Sequence, residues 1–379
     1  TGSSTNVTTQ PDGGICLMGG ATENDEAMKW FLQRANGGDI LVLRASGSDG
    51  YNDYLYAELG VAVNSVETIV FNTADAVNDF YVQTRIQNAE AIWFAGGDQW
   101  NYVNYWKNSP VETLVNNSIQ QRNIVIGGTS AGMAILGSHY FSAQNGTVTS
   151  ATALANPFHN LVSIGGNDFL NAGVLSNTIT DTHYDNPDRR GRHVVFMARM
   201  ATDFAIEPRG IACDEYTAVC IDGTLARVYG NYPSDDDNAY FVQMNCELQD
   251  RGPEVCTPGT PLTWNRDGKA LRVFRVKGTQ TGQYFFDWAE MYSESEGDWL
   301  YWYVDNGVFH ETPGEAYNCN IGKPDIISSC EVTISPNPVG EYLNISTGNI
   351  VSGQILIFDI TGKTVYSGSF EGKHLASIR

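Results

Sequence analysis

The clearest structural signal in this 379-residue chain lies at residues 124–136, which read Ile-Val-Ile-Gly-Gly-Thr-Ser-Ala-Gly-Met-Ala-Ile-Leu. The short apolar run before the glycines predicts a buried strand, and the apolar run after Gly132 predicts a helix. A tight turn that carries Ser130 separates the two. A strand, a turn and a helix in this order predict one βα step of an α/β protein.

Four more apolar runs of the same length precede this segment, at residues 15–18, 40–43, 68–71 and 91–94. Amphipathic segments at 25–35 and 111–121 are long enough for crossover helices. Strands that are apolar on both faces and alternate with helices predict a doubly wound, mostly parallel α/β sheet. Because such sheets bind ligands at the carboxyl ends of their strands, the loops that follow the strands are where we expect chemistry.

Patterning divides the chain into four parts. Residues 1–11 are polar and predict a flexible mature N-terminus, and residues 12–230 hold the α/β core. Residues 231–329 contain turns, aromatic residues and alternating runs, which predict a β-rich extension of antiparallel strands, either part of the core or a module of its own. Residues 330–379 carry alternating strands separated by Gly and Asn, which predict a small β-sandwich.

The chain is strongly acidic, with 22 Lys and Arg against 43 Asp and Glu and a formal net charge of −21. Such a surface repels phosphate backbones and anionic headgroups, so we expect no nucleic acid and no membrane surface as partner, whereas a cationic partner is permitted. The sequence contains no run of about 18 apolar residues, and we therefore predict no membrane span.

The seven cysteines show no C-x-x-C spacing, so they predict neither a zinc nor a redox site. Cys16 lies in an apolar run and predicts a buried free thiol. Cys246 and Cys256, and likewise Cys319 and Cys330, lie in loop-like sequence, which predicts one or two disulfides in an oxidising compartment.

The turn from Gly128 to Gly132 satisfies the pattern G-x-S-x-G between a strand and a helix, the context in which the pattern presents a nucleophilic serine. Small neighbours leave the oxygen of Ser130 accessible, and the start of a helix beside it favours negative charge. The alternative for this motif alone is an ordinary glycine-rich turn.

Two other loops could complete a site around Ser130. Gly96 and Gly97 follow the run 91–94 and would allow backbone N–H groups to approach an oxyanion, although turns use the same residues. His183 follows the strand-like segment 174–179 and could act as the base, and the arginines 189, 190 and 192 could hold an acidic group of a substrate. The alternative for His183 in isolation is a structural histidine.

Four blocks in this order together resemble the cyanophycinase and peptidase E family of serine peptidases, S51, over residues 12–225. They are Gly96-Gly97-Asp98-Gln99, Gly128-Thr129-Ser130-Ala131-Gly132, Asp181-Thr182-His183-Tyr184 with the following Arg190-Gly191-Arg192, and Gly210-Ile211-Ala212-Cys213-Asp214-Glu215-Tyr216-Thr217-Ala218. The resemblance implies a fold similar to class I glutamine amidotransferases, with Ser130 as nucleophile, His183 as general base and Glu215 as the acid that orients the histidine. No Asp or Glu occurs between Ser130 and Asp168, which favours the cyanophycinase branch over peptidase E.

The same resemblance implies the remaining site residues. Backbone N–H groups of Gly97 or Asp98 and of Ala131 would form the oxyanion hole. The substrate-binding residues that the resemblance implies, around a β-aspartyl-arginine unit, are Gln99, Asp181, Thr182, Arg189 and Arg192. The chain departs from the family at Thr182, where the family has Gln, and at Pro187, where it has the first Arg after the histidine. These departures leave the exact substrate open.

The C-terminal fifty residues resemble the sorting domain that Bacteroidetes attach to cargo of the type IX secretion system. The resemblance rests on Ser335-Pro336-Asn337-Pro338 and Asp359-Ile360-Thr361-Gly362-Lys363. Such domains continue through a final Gly-x-Tyr strand that this sequence lacks, so we expect a partial domain. The resemblance implies a protein that is secreted or held at the cell surface, with the type IX machinery as a partner.

Taken together, these residues predict a secreted serine peptidase that hydrolyses cyanophycin or related β-aspartyl peptides through an acyl-enzyme, without metal or cofactor. The alternatives are an isoaspartyl dipeptidase of different specificity and a non-catalytic polymer-binding protein on the same fold. The aromatic segment 284–303 would suit the second alternative, but its residue types are also those of ordinary β-sheet packing. Homodimer formation is compatible with the sequence.

Overall fold

We describe the fold from a computed structural model that covers residues 1–316 and the strand segments 333–335, 343–346, 352–358, 364–371 and 375–378. The chain forms two compact units, Thr1–Cys319 and Asn320–Arg379. Up to residue 316, the β-rich extension therefore lies in the same unit as the α/β core. The predicted boundary near residue 330 lies outside the described residues.

Sixteen strands run through residues 1–316. In chain order they are β1 (Ile15–Met18), β2 (Asp39–Arg44), β3 (Ser65–Val70), β4 (Ala91–Phe94), β5 (Val125–Thr129), β6 (His139–Phe141), β7 (Ile164–Gly166), β8 (Thr178–Asp181), β9 (Arg209–Cys213), β10 (Ala218–Asp222), β11 (Leu225–Tyr232), β12 (Asn238–Met244), β13 (Leu271–Lys277), β14 (Phe285–Asp287), β15 (Asp298–Asp305) and β16 (Val308–Pro313). The five apolar runs of the N-terminal third all form strands, as predicted.

The helices of the same residues lie mostly between strands of the first half. They are α1 (Asp25–Gln33), α2 (Tyr51–Asp53), α3 (Phe80–Asn88), α4 (Gln99–Trp106), α5 (Pro110–Arg122), α6 (Ala131–Ala134), α7 (Ser150–Ala155) and α8 (Arg190–Asp203). A π-helical turn, Tyr54–Glu58, continues directly from α2, and 3₁₀ turns occur at Ala74–Asn78 and Gly173–Leu175.

The strands form two eight-stranded sheets rather than the single sheet that the sequence predicts. The first has the order β14-β11-β10-β1-β5-β4-β2-β3, in which β1, β5, β4, β2 and β3 are parallel. The second has the order β16-β15-β13-β12-β9-β8-β6-β7, in which β6, β8 and β9 are parallel. The antiparallel strand β10 pairs with β1 in the first sheet, whereas β8 and β9 pair with each other between β6 and β12 in the second. The predicted fold class is nevertheless confirmed, because the structure is an α/β fold with a β-rich extension.

The two sheets share one core. Along β1, Ile15 and Leu17 pack in a cluster that also holds Ile211 and Phe241 of the second sheet. The alternate residues of β1 face the opposite side, where they pack against α1. Because successive side chains of a strand point to opposite faces, a strand covered on both sides must be apolar throughout. This is why β1 reads as a continuous apolar run.

Helix α1 begins where the loop after β1 ends. The side chain of Asn24 accepts a hydrogen bond from the backbone N–H of Ala27 at 3.1 Å, which caps the helix. Met28 and Phe31 lie on its buried face. The cap and the apolar face together fix where the preceding residues, 19–23, leave the sheet.

The predicted extension is built into both sheets. Strand β12 pairs with β9 of the core, and β13, β15 and β16 follow it outward, all antiparallel. Strand β14 extends the first sheet beyond β11. The antiparallel strands predicted for residues 231–329 are therefore present, as β12 to β16.

The N-terminal segment 1–11, for which we predict flexibility, is bound along the sheet edge. The backbone N–H of Ser3 donates to Asn64 O at 2.9 Å, and that of Val66 donates to Thr1 O at 3.0 Å. Farther along, the backbone N–H of Val7 donates to the carboxylate of Asp39 at 3.1 Å. These hydrogen bonds correct the prediction, because the segment pairs beside β3 instead of extending into solvent.

The cysteines depart from the prediction at one pair. Cys16 is a buried free thiol, as predicted. Cys246 is disulfide-bonded, whereas Cys256 is free and buried, so these two do not pair with each other. Cys319 and Cys330 lie outside the described residues.

The second unit contains β17 (Thr333–Ser335), β18 (Leu343–Ser346), β19 (Ser352–Phe358), β20 (Thr364–Glu371) and β21 (Leu375–Ile378). Strands β17, β18 and β21 form one antiparallel sheet, and β19 pairs antiparallel with β20. Strands were predicted here. Most of the Ser-Pro-Asn-Pro motif and all of residues 359–363 lie outside the described residues.

Among the described residues, no helix combines the length and the apolar character that crossing a bilayer would require.

Candidate active site

Ser130 lies directly after β5, in a turn that few residue types can adopt. Its backbone has φ 51° and ψ −115°, a region that L-residues rarely occupy. A Cβ on Gly132 would lie 1.9 Å from the carbonyl oxygen of Phe94, and one on Gly128 would lie 2.5 Å from the backbone of Gly132. The glycines are therefore required for the turn to pass this close to β4, and the turn presents Ser130 at the carboxyl edge of the first sheet.

Ser130, His183 and Glu215 form a continuous line of hydrogen bonds. Ser130 Oγ lies 2.8 Å from His183 Nε2, and His183 Nδ1 lies 2.6 Å from Glu215 Oε1. The histidine follows β8 and the glutamate follows β9, both in the second sheet, whereas the serine belongs to the first. The arrangement therefore spans the two sheets.

Gly19 and Gly20, directly after β1, hold the loops of this triad together. Gly19 O accepts the backbone N–H of His183 at 2.8 Å, and Gly20 O accepts that of Tyr216 at 3.0 Å. Gly20 has φ +115°, and a Cβ there would lie 2.4 Å from the imidazole of His183. No larger residue could bring this backbone so close to the histidine.

Glu215 is held by hydrogen bonds of both its side chain and its backbone. Its Oε2 accepts a hydrogen bond from Asn186 Nδ2 at 3.3 Å, and its backbone N–H donates to Asp185 Oδ1 at 2.9 Å. The hydrogen bond with His183 holds the pKa of Glu215 below its usual value, although burial acts in the opposite direction. An ionised Glu215 favours the imidazole tautomer with its proton on Nδ1, which leaves Nε2 free to accept the proton of Ser130.

Backbone N–H groups are available beside the nucleophile. The loop after β4 passes so close that a Cβ on Gly96 would lie 3.6 Å from the Cβ of Ser130. Within residues 1–316, the N–H groups of Gly97, Asp98 and Ala131 donate to no protein acceptor. The Asp98 side chain caps α4 through the N–H of Trp100 at 2.9 Å. The structure thus leaves free the donors that the sequence predicts for an oxyanion hole.

A cavity of about 700 Å³ opens in front of the serine. Ser130, His183 and Gly96 line it together with residues from the loops after β1 and β2. This volume is in the range of pockets that hold small ligands. The cavity could therefore receive a peptide with its scissile bond at Ser130.

Three of the predicted substrate-binding residues are buried away from this cavity. Arg192 binds Asp181 through two hydrogen bonds, of 2.9 Å and 2.5 Å, and each side chain is 4% exposed. The same guanidinium donates to Thr147 Oγ1 and Val148 O. The neighbouring Thr182 is also 4% exposed. We correct the prediction for these three: Asp181 and Arg192 fix α8 to β8, and none of the three has a free face for a substrate.

Arg189 and Gln99 are partly buried and also lie outside the cavity lining. Arg189 Nη1 donates to the carbonyl of Thr182 at 2.9 Å, which supports the segment that carries His183. Burial lowers the pKa of Arg189, and the nearby carboxylates of Asp181 and Glu215 act against this. Gln99 begins α4, and its amide lies 3.5 Å from Phe141 O. Substrate contact by these two residues stays a prediction.

The residues that do line the cavity were mostly not predicted. Glu23 and Asp25 follow β1, Arg44 ends β2, and Tyr51 and Tyr54 come from α2 and the π-helical turn. The pair Gly19 and Gly20 after the apolar strand β1 could have indicated that the loop after β1 belongs to the site. The tyrosines carry no recognisable pattern in the sequence.

Asp214 is a buried carboxyl next to Glu215. Its Oδ2 accepts hydrogen bonds from the backbone N–H and the side-chain amide of Asn238, at 3.2 Å and 2.9 Å. Its Oδ1 has no partner in the described part of the chain. Burial raises the pKa of Asp214 to about 7, and Asp185 and Asp236 add to the rise. The folded protein therefore keeps this carboxyl protonated in mildly acidic solution.

The titration of Asp214 predicts how stability depends on pH. Because an aspartate in an unfolded chain has a pKa of about 3.9, the folded state binds more protons between about pH 4 and 7, and its stability should fall as the pH rises through that range. We expect Asp214→Asn to raise the free energy of unfolding at pH 8 by on the order of 1–3 kcal/mol, with little gain at pH 4. Urea unfolding at the two pH values measures the difference, with Asp75→Asn as an exposed control. An equal change at both pH values would contradict the assignment.

In the described part of the chain, no group of three or more His, Cys, Asp or Glu residues is arranged to hold a metal ion.

Comparison with known proteins gives two family matches. The family described as peptidase family S51 matches residues 17–229, and the secretion system C-terminal sorting domain matches residues 333–378. The second match identifies a type IX sorting domain and therefore a protein that is secreted or held at the cell surface. Type IX secretion machinery is accordingly a partner.

Individual relatives are distant. The chain is 23% identical over 229 residues to a cyanophycinase from Geminocystis herdmanii (strain PCC 6308), covering 57% of this chain and 80% of that protein. It is 26% identical over 229 residues to a cyanophycinase from Synechococcus elongatus, covering 57% of this chain but 65% of that protein. Among solved structures, a peptidase from an acI-B1 Actinobacterium is 14% identical with a TM-score of 0.42, covering 61% of this chain and 91% of that one.

Proposed function

Since the chain belongs to peptidase family S51, we propose that it is a serine peptidase that hydrolyses cyanophycin or related β-aspartyl peptides. The observation that carries the proposal is the line of hydrogen bonds from Ser130 through His183 to Glu215, at 2.8 Å and 2.6 Å. A serine acts as a nucleophile when a base accepts its proton and a third group orients the base. The cyanophycinases among the relatives supply the substrate class.

The mechanism assigns a step to each group. His183 Nε2 takes the proton of Ser130 as the serine oxygen attacks the scissile carbonyl carbon, and Glu215 stabilises the imidazolium that forms. The N–H groups of Gly97, Asp98 and Ala131 stabilise the oxyanion. His183 then protonates the leaving amine, and a water molecule activated by the same histidine hydrolyses the acyl-enzyme.

A second candidate, an isoaspartyl dipeptidase of different specificity, is favoured by one observation. Asp181, Thr182 and Arg192, which the family resemblance would use to hold β-aspartyl-arginine, are buried in this chain. Recognition must then rest on other residues, and the preferred leaving group need not be the same as in cyanophycinases.

The test is hydrolysis by the purified full chain. Insoluble cyanophycin and a panel of β-aspartyl dipeptides with Arg, Lys or Leu as leaving group are incubated with the protein, and released amino acids are separated and quantified. The proposal predicts release from at least one substrate and labelling of the protein by a fluorophosphonate. A folded protein that releases nothing and does not label would overturn the proposal.

A further inference from the structure

Two cysteines face each other across two neighbouring strands of the first sheet. In the antiparallel pairing of β1 with β10, Cys16 lies directly opposite Cys220. The two sulfur atoms are 3.7 Å apart, and neither side chain is more than 1% exposed. The pair therefore consists of two buried thiols in contact with each other.

The hydrogen bonds between the two strands show which kind of position this pair occupies. The backbone N–H of Gly19 donates to Thr217 O at 2.9 Å, which continues the register three pairs beyond the cysteines. Because hydrogen-bonded and non-hydrogen-bonded pairs alternate along antiparallel strands, Cys16 and Cys220 form a non-hydrogen-bonded pair. At such a position the Cα atoms are about 4.5 Å apart and the side chains lie closest. That separation is within the range of about 4.4–6.8 Å that a disulfide spans.

The other described cysteines lie elsewhere in the core. Cys16 and Cys220 belong to the apolar cluster that β1 forms with α1. Cys213 lies in the cluster on the opposite face of β1, and Cys256 lies in a third cluster. Cys246 is already disulfide-bonded. In the part of the chain that the structure describes, Cys16 and Cys220 are therefore the two free thiols that share a cluster.

The destination of the protein supplies the redox condition. Its sorting domain identifies a protein that is secreted or held at the cell surface. Disulfides form and persist in such oxidising surroundings, whereas they are rare where thiols are kept reduced. The two thiols would meet an oxidant while the chain folds, before α1 covers them.

We propose that Cys16 and Cys220 close to a cross-strand disulfide that stabilises the secreted protein. One thiolate attacks an external disulfide, RS–SR, which forms a mixed disulfide and releases one RSH. The second thiolate displaces the other RSH. The two cysteine sulfurs are thereby oxidised, the external disulfide is reduced to two thiols, and those thiols carry away the two cysteine protons. The exchange takes place during folding, because burial raises the pKa of Cys220 and leaves little thiolate once the protein is folded.

The bond would join the strands next to two catalytic loops. Three residues after Cys16, the carbonyl of Gly19 accepts the backbone N–H of His183 at 2.8 Å. Cys220 lies five residues after Glu215. Because the two cysteines are far apart in sequence, a bond between them closes a long loop in the unfolded chain, and this constraint favours the folded state. The stabilisation does not depend on the proposed peptidase function.

Peptide mapping of the oxidised protein tests the bond. The reduced, unfolded full chain is refolded in a mixture of reduced and oxidised glutathione, alkylated in denaturant without reductant, and digested with trypsin. We expect residues 1–29, which contain Cys16, to be linked to residues 210–227, which contain Cys220. Because Cys213 lies in the same tryptic peptide, the link must persist in Cys213→Ala. Loss of the link in that variant, or alkylation of both Cys16 and Cys220 in the wild type, would overturn the proposal.

Thermal unfolding measures the stabilisation. Each protein is refolded with glutathione or with tris(2-carboxyethyl)phosphine, and the difference between its two unfolding midpoints is recorded. This difference should be larger in the wild type than in Cys16→Ala/Cys220→Ala by roughly 5 °C or more, because only the wild type has this bond to lose. Cys213→Ala removes an equally buried thiol and should keep the wild-type difference. An equal difference in the wild type and the double variant would refute the stabilising role, and the peptide map decides on the bond even where the double variant does not fold.

Discussion

Replacement of Ser130 by alanine is expected to lower kcat for β-aspartyl peptide hydrolysis by roughly 10⁵- to 10⁶-fold. The variant lacks the atom that attacks the substrate, and the rest of the site cannot supply another nucleophile at this position. Stability should change little, because an alanine side chain is smaller and still lies at the cavity wall. The readouts are steady-state hydrolysis, fluorophosphonate labelling and thermal unfolding.

Ser48→Ala is the control for this variant. Ser48 lines the same cavity, and its contact with Arg44 is made by its backbone carbonyl, which the substitution keeps. Labelling and hydrolysis should persist in Ser48→Ala and disappear in Ser130→Ala. The double variant Ser130→Ala/His183→Ala should be no slower than Ser130→Ala alone, because the two residues act as one unit. Residual activity of Ser130→Ala above about 1% of the wild type would identify a different nucleophile.

Glu215→Gln should lower kcat by roughly 10³- to 10⁴-fold with a small effect on stability. The carboxylate accepts a hydrogen bond from the Nδ1–H group of His183, at 2.6 Å. An amide can instead donate to Nδ1, which moves the imidazole proton to Nε2 and leaves that nitrogen unable to accept the proton of Ser130. Steady-state kinetics of the purified variant measures the loss.

Asn186→Ala tests whether this loss is specific to the carboxylate. Asn186 is exposed, and its side chain donates to Glu215 Oε2 at 3.3 Å. Its backbone N–H donates to the carbonyl of His183 at 3.2 Å, and Asn186→Ala keeps that hydrogen bond while removing the one to the carboxylate. We expect a loss of roughly tenfold or less. Equal losses in the two variants would mean that Glu215 acts only by holding its loop in place.

Local sequence predicts much of this architecture because the relevant signals are local. Strands β1, β2, β4 and β5 are buried along almost their whole length, and strands covered on both faces must be largely apolar, whereas the edge strand β3 is partly exposed. The turn around Ser130 needs glycines where β4 passes within contact distance, and those glycines are visible in the sequence. His183 and Glu215 each lie at the end of a strand, where parallel sheets place their functional residues.

Features that depend on distant pairing could not be predicted in the same way. The division into two sheets is fixed by β10 pairing with β1 and by β12 pairing with β9, and no local pattern encodes these partners. Arg192 was expected to contact substrate because it is charged and follows the histidine. It is instead neutralised by Asp181 in the interior, and only the folded structure shows which charges satisfy each other.

Most of the other residues that line the cavity at Ser130 were not predicted, for a related reason. Glu23 and Asp25 resemble any acidic residues at the start of a helix, and Tyr51 and Tyr54 lie in a short helix with no clear periodicity. Their relation appears once the loop after β1 meets the π-helical turn, where each tyrosine binds one carboxylate.

The nucleophile follows a strand of one sheet, and the base and the acid follow strands of the other. The reaction rate therefore depends on how the two sheets are aligned. A slide of one sheet against the other by an ångström would lengthen the contact between Ser130 and His183 while leaving every strand intact. During gradual denaturation, turnover would then be lost before the circular dichroism signal of the strands and helices. Substitutions deep in the shared core, far from any substrate, would then change the reaction rate through this alignment as well as lowering stability.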